Sequence, residues 1–418
     1  MIPSKEINSF AFPLIVTQIG QILIGQLALH FAVANSSLAL SSIAIIQNLL
    51  FAFGGLLGAF SLAFNIKSAR SFANQERSRF SDLLKSNLIL DGIIGLGFAV
   101  FVLVFGKILL RQVYGFSGQL LDLSTAYLLL MAPYIGLTLL NFSLTSLLRV
   151  QKKTKPIMWV GLASSLLDVG LNYLFVPVFG IKGAALATIL SLAFISLSYL
   201  WLVYPLVFEA LASRSTSKCE LIRFGMPLMG QEILESVLFI MVFDALMARL
   251  GVEILAIYAV TSQLLAIVRV PAFVYATAVS VYLPQAEKTG QVSTFLKTIC
   301  KNAYAVSLVL SVLLVCLSNS LAHFLSSEIT QNIIPITLFT VIAMCVSPLY
   351  ESTKMVLQSL EDEKFVLRIS ILVNLLCVCA MLFLQFLQLQ TYFSLYFIYG
   401  VSLAVLSVFF LRRAFVPR

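Results

Sequence analysis

Two carboxylates, Glu232 and Glu235, stand three residues apart in QEILESVLF (231–239), inside a stretch that is otherwise almost wholly apolar. On an α-helix three residues turn the chain through about 300°, so the two side chains lie about 60° apart on one face, displaced by one turn. Two acids sharing a low-dielectric site do not both ionise cheaply, and one is expected to hold a proton near the working pH. That is the chemistry of a proton carrier. Other ionisable groups sit in equally apolar surroundings: Glu351 and Lys354 in PLYESTKMVLQ (348–358), Arg269 in QLLAIVRVPAFVYA (263–276), and Asp168, four residues before Asn172, in LDVGLNY (167–173).

What must position these groups follows from composition. Hydrophobic residues make up 60% of the 418-residue chain and charged residues 11%, against about 45–50% and about 25% in soluble domains. The mean hydropathy is +1.01. Such a chain is expected to be an all-α polytopic membrane protein with the lipid bilayer as its solvent. The net charge of +9 does not point to nucleic acid, because the basic residues form short runs between apolar stretches rather than one patch. The six cysteines, at 219, 300, 316, 345, 377 and 379, show no metal-ligand spacing and read as buried thiols. The first apolar stretch is too long for a cleavable signal and lacks a small-residue cleavage site, so it reads as a span.

Twelve spans are expected, near 9–32, 38–62, 86–110, 121–147, 157–179 and 182–208, then 222–248, 254–284, 298–324, 332–357, 366–388 and 391–411. With the N-terminus cytoplasmic, most of the 27 Lys and Arg fall on the inner side, and the outer side holds only Lys107, Arg111, Lys182 and Arg249. This asymmetry places both termini in the cytoplasm, at a cell membrane. The chain also repeats itself: FPLIVTQIGQILIGQ opens span 1 and MPLMGQEILESVLFI opens span 7, with Pro13 and Pro227 in register and Asn48 opposite Gln263. Two parallel six-span halves, 1–208 and 222–418, are therefore expected, joined by a polar cytoplasmic linker at 209–221. Halves of this kind with a binding cavity between them are a transporter architecture.

LDVGLNYLFVPVFGIKGAALAT (167–188), Pro13 with Gln18, NIKSAR (65–70), Pro227 with Glu235, and LQSLEDEK (357–364) together resemble the multidrug and toxic compound extrusion (MATE) family, closest to its NorM-like branch. The resemblance covers nearly the whole chain and places it in a superfamily that also holds oligosaccharide and lipid flippases. It implies that Glu235 is the family's span 7 glutamate and that Glu351 takes the place of the span 10 acid. Two positions depart from the family pattern. Ala28 stands where span 1 usually carries an aspartate, and Asp168 precedes Asn172 where the family has the amide first. The titratable groups are thus expected to be concentrated in the second half.

An ionisable group within a span is a functional candidate. Glu235, Glu232 and Glu351 are expected to handle the coupling ion or a cationic substrate, and Lys354, three residues on from Glu351, to form an ion pair with it. Arg269 is expected to face the cavity and pair with a span 7 acid, beside a helix locally broken by Pro271. Asp168 and Asn172, the polar pair of span 5, are candidates for ion coupling or substrate binding, or else for a hydrogen-bond network that joins spans 1 and 5 with Gln18, Gln21, Gln26 and His30. Tyr258 and Gln263 are expected to line the cavity, as are Asn141, Tyr275 and Tyr350. His30 and His323 are isolated, and no metal is expected, except that Glu235 and Glu351, with Gln263 and Tyr258, offer oxygens to a coupling sodium ion. No P-loop or nucleophile–base cluster appears, so neither an enzyme nor a cofactor is expected. The expected function is a monomeric secondary antiporter that exports amphipathic, cationic small molecules against proton or sodium influx. The alternative is a flippase for a lipid-linked oligosaccharide or another lipid. In a cysteine-free background, cysteines at positions 182 and 249 will react with an impermeant maleimide on intact cells, whereas cysteines at 77 and 152 will react only after permeabilisation; the reverse pattern would invert the orientation.

Overall fold

The structure, a computed structural model, describes residues 2–33, 37–112, 114–325 and 332–415. The side chains of Gln26, Ala28, His30, Asn48 and His323 lie outside the described residues. Among the described residues there are only helices and their connections. The first part of the chain forms α1 (Ser4–Val33), α2 (Ser37–Ala73), α3 (Arg77–Gln112), α4 (Gly118–Leu130), α5 (Tyr134–Val150), α6 (Thr154–Phe179) and α7 (Ile181–Leu211). The remainder forms α8 (Lys218–Glu232), a π-helical segment (Ile233–Phe239), α9 (Ile240–Ala248), α10 (Val252–Lys288), α11 (Val292–Leu325), α12 (Ile334–Ala343), α13 (Ser347–Ser359), α14 (Glu363–Phe386) and α15 (Tyr392–Ala414). In hydrocarbon every backbone N–H and C=O must be bonded within its own segment, which is why apolar stretches of this length become helices.

Eleven stretches among the described residues are long and apolar enough to cross a membrane. The expected seventh span, 222–248, is instead divided into α8, the π-helical segment and α9. The fourth expected span is interrupted at Met131–Pro133 and the tenth at Met344–Val346, with Pro133 and Pro348 at the starts of the resumed helices. Proline has no N–H to continue the preceding ladder but suits a helix start. Pro271 behaves differently from expectation. α10 runs through it unbroken, and Val270 and Ala272 on either side are buried.

The chain forms two compact units, Met1–Ile15 with Gly230–Arg418, and Val16–Met229, whose boundaries fall inside α1 and α8. The core of Val16–Met229 is built from Ile46, Leu50, Phe98, Tyr127, Ile135 and Leu139 of α2, α3, α4 and α5. At the start of α3, Asp82 accepts hydrogen bonds from the Thr216 backbone N–H (2.6 Å) and the Ser217 hydroxyl (2.6 Å), and Lys85 donates to the carbonyls of Leu211 (2.8 Å) and Ser213 (2.7 Å). The polar stretch after α7 is thereby tied to α3. The other unit centres on Phe239, Phe243, Leu357, Tyr396, Leu403 and Phe410.

The GIKGAA turn between α6 and α7 has a direct physical cause. Gly180 has φ +57°, and a Cβ on Gly183 would lie 2.4 Å from the Phe175 carbonyl oxygen. Helices also approach closely where α3 meets α5, since a Cβ on Gly95 would lie 2.5 Å from the Gly136 Cα. Small residues at such crossings let backbones approach where lipid supplies no hydrophobic drive. Gly95→Ala will destabilise the protein by about 1–3 kcal/mol, as overpacking does. Gly97→Ala, where a Cβ meets nothing within 4 Å, will melt like the parent in detergent; equal melting of the two variants would refute the contact.

Candidate functional site

α13 sets the chemistry. Its sequence SPLYESTKMVLQS is polar, yet Ser347, Tyr350, Glu351, Ser352, Thr353, Gln358 and Ser359 are all buried. Polar and charged groups placed where neither water nor headgroups reach must satisfy one another. Tyr350, Glu351, Lys354 and Gln358 find partners on α8, α10 and the π-helical segment, with further donors from α14 and α15, all within the Gly230–Arg418 part of the chain, whereas the Ser347 and Ser359 hydroxyls are buried without a partner among the described residues. Lys354 is the centre of the arrangement. Its Nζ lies 2.9 Å from Glu351 Oε2 and 3.3 Å from Glu235 Oε2, above the ring of Tyr350 at 4.7 Å.

Glu235 is held by three elements, α8, α13 and α14. Its Oε1 accepts from Gln231 Nε2 (3.0 Å), from the Tyr350 hydroxyl, and from Ser370 Oγ of α14 (3.3 Å). Gln231 in turn accepts from Gln358 Nε2 at 2.8 Å. Glu351 is only 4% exposed. Its Oε1 faces Arg269 Nη2 of α10 at 3.6 Å. The Arg269 guanidinium also lies 5.0 Å from the Phe273 ring centre and within reach of the Tyr399 hydroxyl of α15. Two carboxylates and two cations thus form one internally neutral cluster.

Several expectations change. Glu232 and Glu235 fall in differently wound segments: α8 ends at Glu232, and Glu235 lies in the π-helical segment. The wider i→i+5 winding no longer stacks i over i+3 as an α-helix would. Among the described residues Glu232 has no hydrogen-bond or ion-pair partner, and Gln231 is the residue that bonds Glu235. Arg269 pairs with Glu351 of α13, not with a span 7 acid. Tyr258 donates to Asp244 at 2.5 Å and joins an aromatic cluster with Phe243 and Tyr396. Gln263 is exposed on α10 and, among the described residues, bonds no carboxylate. Tyr275 donates to Asn8 (2.7 Å), and Asn141 accepts from Ser196 (2.8 Å). Of the cysteines only Cys377 is buried; Cys219 is exposed at the start of α8, and Cys316, Cys345 and Cys379 are exposed because an apolar thiol within a span can face lipid as readily as protein.

In Val16–Met229, Asn172 Nδ2 bonds the carbonyl of Asp168 on its own helix at 2.9 Å. The Asp168 carboxyl lies beside the Thr188 and Ser191 hydroxyls of α7. A further acid was missed. Asp91 of α3 is 3% exposed, and its Oδ2 accepts from Asn87 Nδ2 (2.9 Å) and Ser143 Oγ (2.5 Å). The available signal was its place inside the expected third span. Ser370 and Tyr399 gave no such signal, because neutral residues on distant helices are recruited only by packing.

Removing one partner of a buried ion pair leaves a stranded charge and costs about 3–5 kcal/mol. Lys354→Met will therefore lower the melting temperature, and adding Glu235→Gln, which restores neutrality with Glu351 and Arg269, will recover much of the loss; a strictly additive double variant would refute the shared ion pair.

Solved structures share the fold over almost the full chain. An outward-facing multidrug resistance MATE family transporter of the MOP superfamily aligns with TM-score 0.87 at 18% identity, covering 99% of this chain and 96% of that one. A MATE in complex with MaL6 aligns with TM-score 0.85 at 14% identity, covering 99% and 95%. A MOP superfamily transporter from Pyrococcus furiosus, described as having a binding pocket of reversed polarity, aligns with TM-score 0.80 at 18% identity, covering 99% and 96%. No curated protein matches by sequence. The MatE family profile matches twice, over residues 13–174 and 227–383, starting on the two prolines that set the internal repeat. The chain is a multi-pass membrane protein belonging to the MatE family of transporters.

Proposed function

We propose that the protein is a secondary antiporter of the cell membrane, with both termini cytoplasmic, that exports amphipathic organic cations in exchange for protons. The observation that carries this reading is Lys354 shared between Glu235 and Glu351 inside the membrane-spanning part of the chain. With both carboxylates ionised, and Lys354 and Arg269 protonated, the cluster sums to zero charge. A proton on Glu235 makes it positive by one unit, and so does an organic cation bound beside it. In low dielectric both together are costly. Proton and cargo therefore exclude each other, and by linkage each weakens the other by the same factor. A proton arriving from outside neutralises Glu235, leaves Lys354 to Glu351 alone, and releases the cargo. The site then opens to the other side of the membrane. The drive amounts to about 2.3 kcal/mol per charge per 100 mV, plus about 1.4 kcal/mol per pH unit.

The geometry favours protons over sodium. Lys354 Nζ occupies the position between the two carboxylates that a sodium ion would need, and Tyr258 is committed to Asp244. Glu232, Asp168 and Asn172 are assigned no coupling role in this reading. The protein is proposed to work as a monomer, since the whole cluster comes from one chain.

In proteoliposomes an inward-directed proton gradient will drive export of tetraphenylphosphonium, and Glu235→Gln will reduce it by at least about tenfold, the loss of one such interaction. Unchanged pH-driven export in that variant would remove Glu235 from the mechanism. Export driven by sodium at constant pH would change the coupling ion, and movement of a labelled lipid-linked sugar without any organic cation would make the protein a flippase.

A further inference from the structure

The start of α3 and the stretch after α7 enclose an open cleft of about 720 Å³, lined by Arg77, Arg79 and Arg214 together with Glu76 and Asp82. The two acids are already answered. Asp82 accepts from Thr216 and Ser217, and Glu76 accepts from Asn74 Nδ2 at 3.3 Å and lies 3.9 Å from Arg79. Arg79 also meets Glu220 at 3.1 Å. Arg77 and Arg214 differ. Both are exposed, and among the described residues neither guanidinium has a hydrogen-bond or ion-pair partner. The cleft thus keeps two accessible cations without a counter-charge. A planar guanidinium suits a phosphate, which it can meet with two parallel N–H bonds.

The neighbouring surface says which kind of phosphate. Along α7 an exposed apolar stripe runs from Leu190 through Leu197, Trp201, Tyr204 and Phe208 to Leu211. From Leu197 onward its members recur at steps of four, three, four and three residues, so they share one helix face. At about 1.5 Å per residue the stripe is about as long as the ~30 Å hydrocarbon core is thick. Ala212, the next residue, already lines the cleft, and Lys85 fixes this junction by donating to the Leu211 and Ser213 carbonyls. The cleft therefore opens where hydrocarbon ends and headgroups begin. We propose that it binds the phosphodiester headgroup of an anionic phospholipid whose acyl chains lie along the α7 stripe. The phosphate accepts from Arg77 and Arg214. A zwitterionic headgroup brings its own ammonium beside the phosphate and so gains less from the two arginines, and a soluble phosphate lacks the chains that the stripe holds.

The test uses the full-length protein in phosphatidylcholine nanodiscs, a phosphatidylglycerol photoprobe with a diazirine in one acyl chain, and adduct mapping by mass spectrometry. Adducts are expected on α7 between Leu197 and Leu211, at least about tenfold above those from the matching phosphatidylcholine probe, since each arginine near an anionic group is worth about fivefold. Arg77→Gln with Arg214→Gln will remove that excess. Should the double variant fail to fold, Arg214→Gln alone will lower it about fivefold. Lys153→Gln with Lys155→Gln takes two exposed positive charges from the same end of the Val16–Met229 unit, outside the cleft, and will leave labelling unchanged. Unlabelled phosphatidylglycerol will compete, and inorganic phosphate will not. An equal loss in the lysine variant would reduce the effect to diffuse surface attraction, and competition by inorganic phosphate would make the cleft a soluble-anion site. Either result, equal labelling by the phosphatidylcholine probe, or full labelling of the folded arginine variants would overturn the proposal.

Discussion

One ammonium group shared by two carboxylates in a low-dielectric interior constrains the rest of the Gly230–Arg418 part of the chain. The Lys354 side chain is only 15% exposed, so most of what answers its charge is Glu235 and Glu351. Glu351 comes with it on the same helix. Glu235 arrives from another, and the π-helical segment Ile233–Phe239 places it there. Irregular winding of this kind is frequent at functional sites. The remaining elements are then recruited as donors: α10 gives Arg269, α14 gives Ser370, and α13 itself supplies Tyr350. A cluster balanced this closely is sensitive to the charge of a single proton, which is the property the proposed exchange rests on.

The two repeats carry different chemistry on related frames. Span 1 holds Gln18 and Gln21 where span 7 holds Glu232 and Glu235. In Val16–Met229 the buried acid Asp91 is answered by an amide and a hydroxyl, Asn87 and Ser143. In Gly230–Arg418 Glu235 and Glu351 are answered by cations. Neutral donors hold an acid in place, whereas cations tie its charge to that of the neighbours. That contrast, rather than the number of acids, distinguishes the ion cluster from the polar contacts that join helices.

Much of this was legible in the sequence. Hydropathy marked the spans, the Pro13 and Pro227 register marked the repeat, and an acid in an apolar stretch marked Glu235 and Glu351. The 348–358 segment even showed Lys354 beside Glu351. Three things were not legible, each because it depends on winding or on distant partners. An α-helical wheel put Glu232 with Glu235, but the winding changes to a π-helical segment between them, which propensity does not signal. Arg269 took its partner from α13 because helix packing, not chain proximity, decides which acid is in reach. Pro271 sits within a continuous helix because its buried neighbours hold the helix through it. Asp91 was legible by the same rule as Glu235 and was passed over among apolar neighbours.

The central claim is that proton and organic cation compete through the charge of the Glu235–Lys354–Glu351 cluster. It is tested most directly by calorimetric titration of the purified protein with tetraphenylphosphonium in buffers of different ionisation enthalpy, across acid to neutral pH. The account predicts net proton release on binding, approaching about one proton per cation at acid pH, and no release from Glu235→Gln. Cation binding without proton release at any pH, or undiminished release from the Glu235→Gln variant, would contradict it.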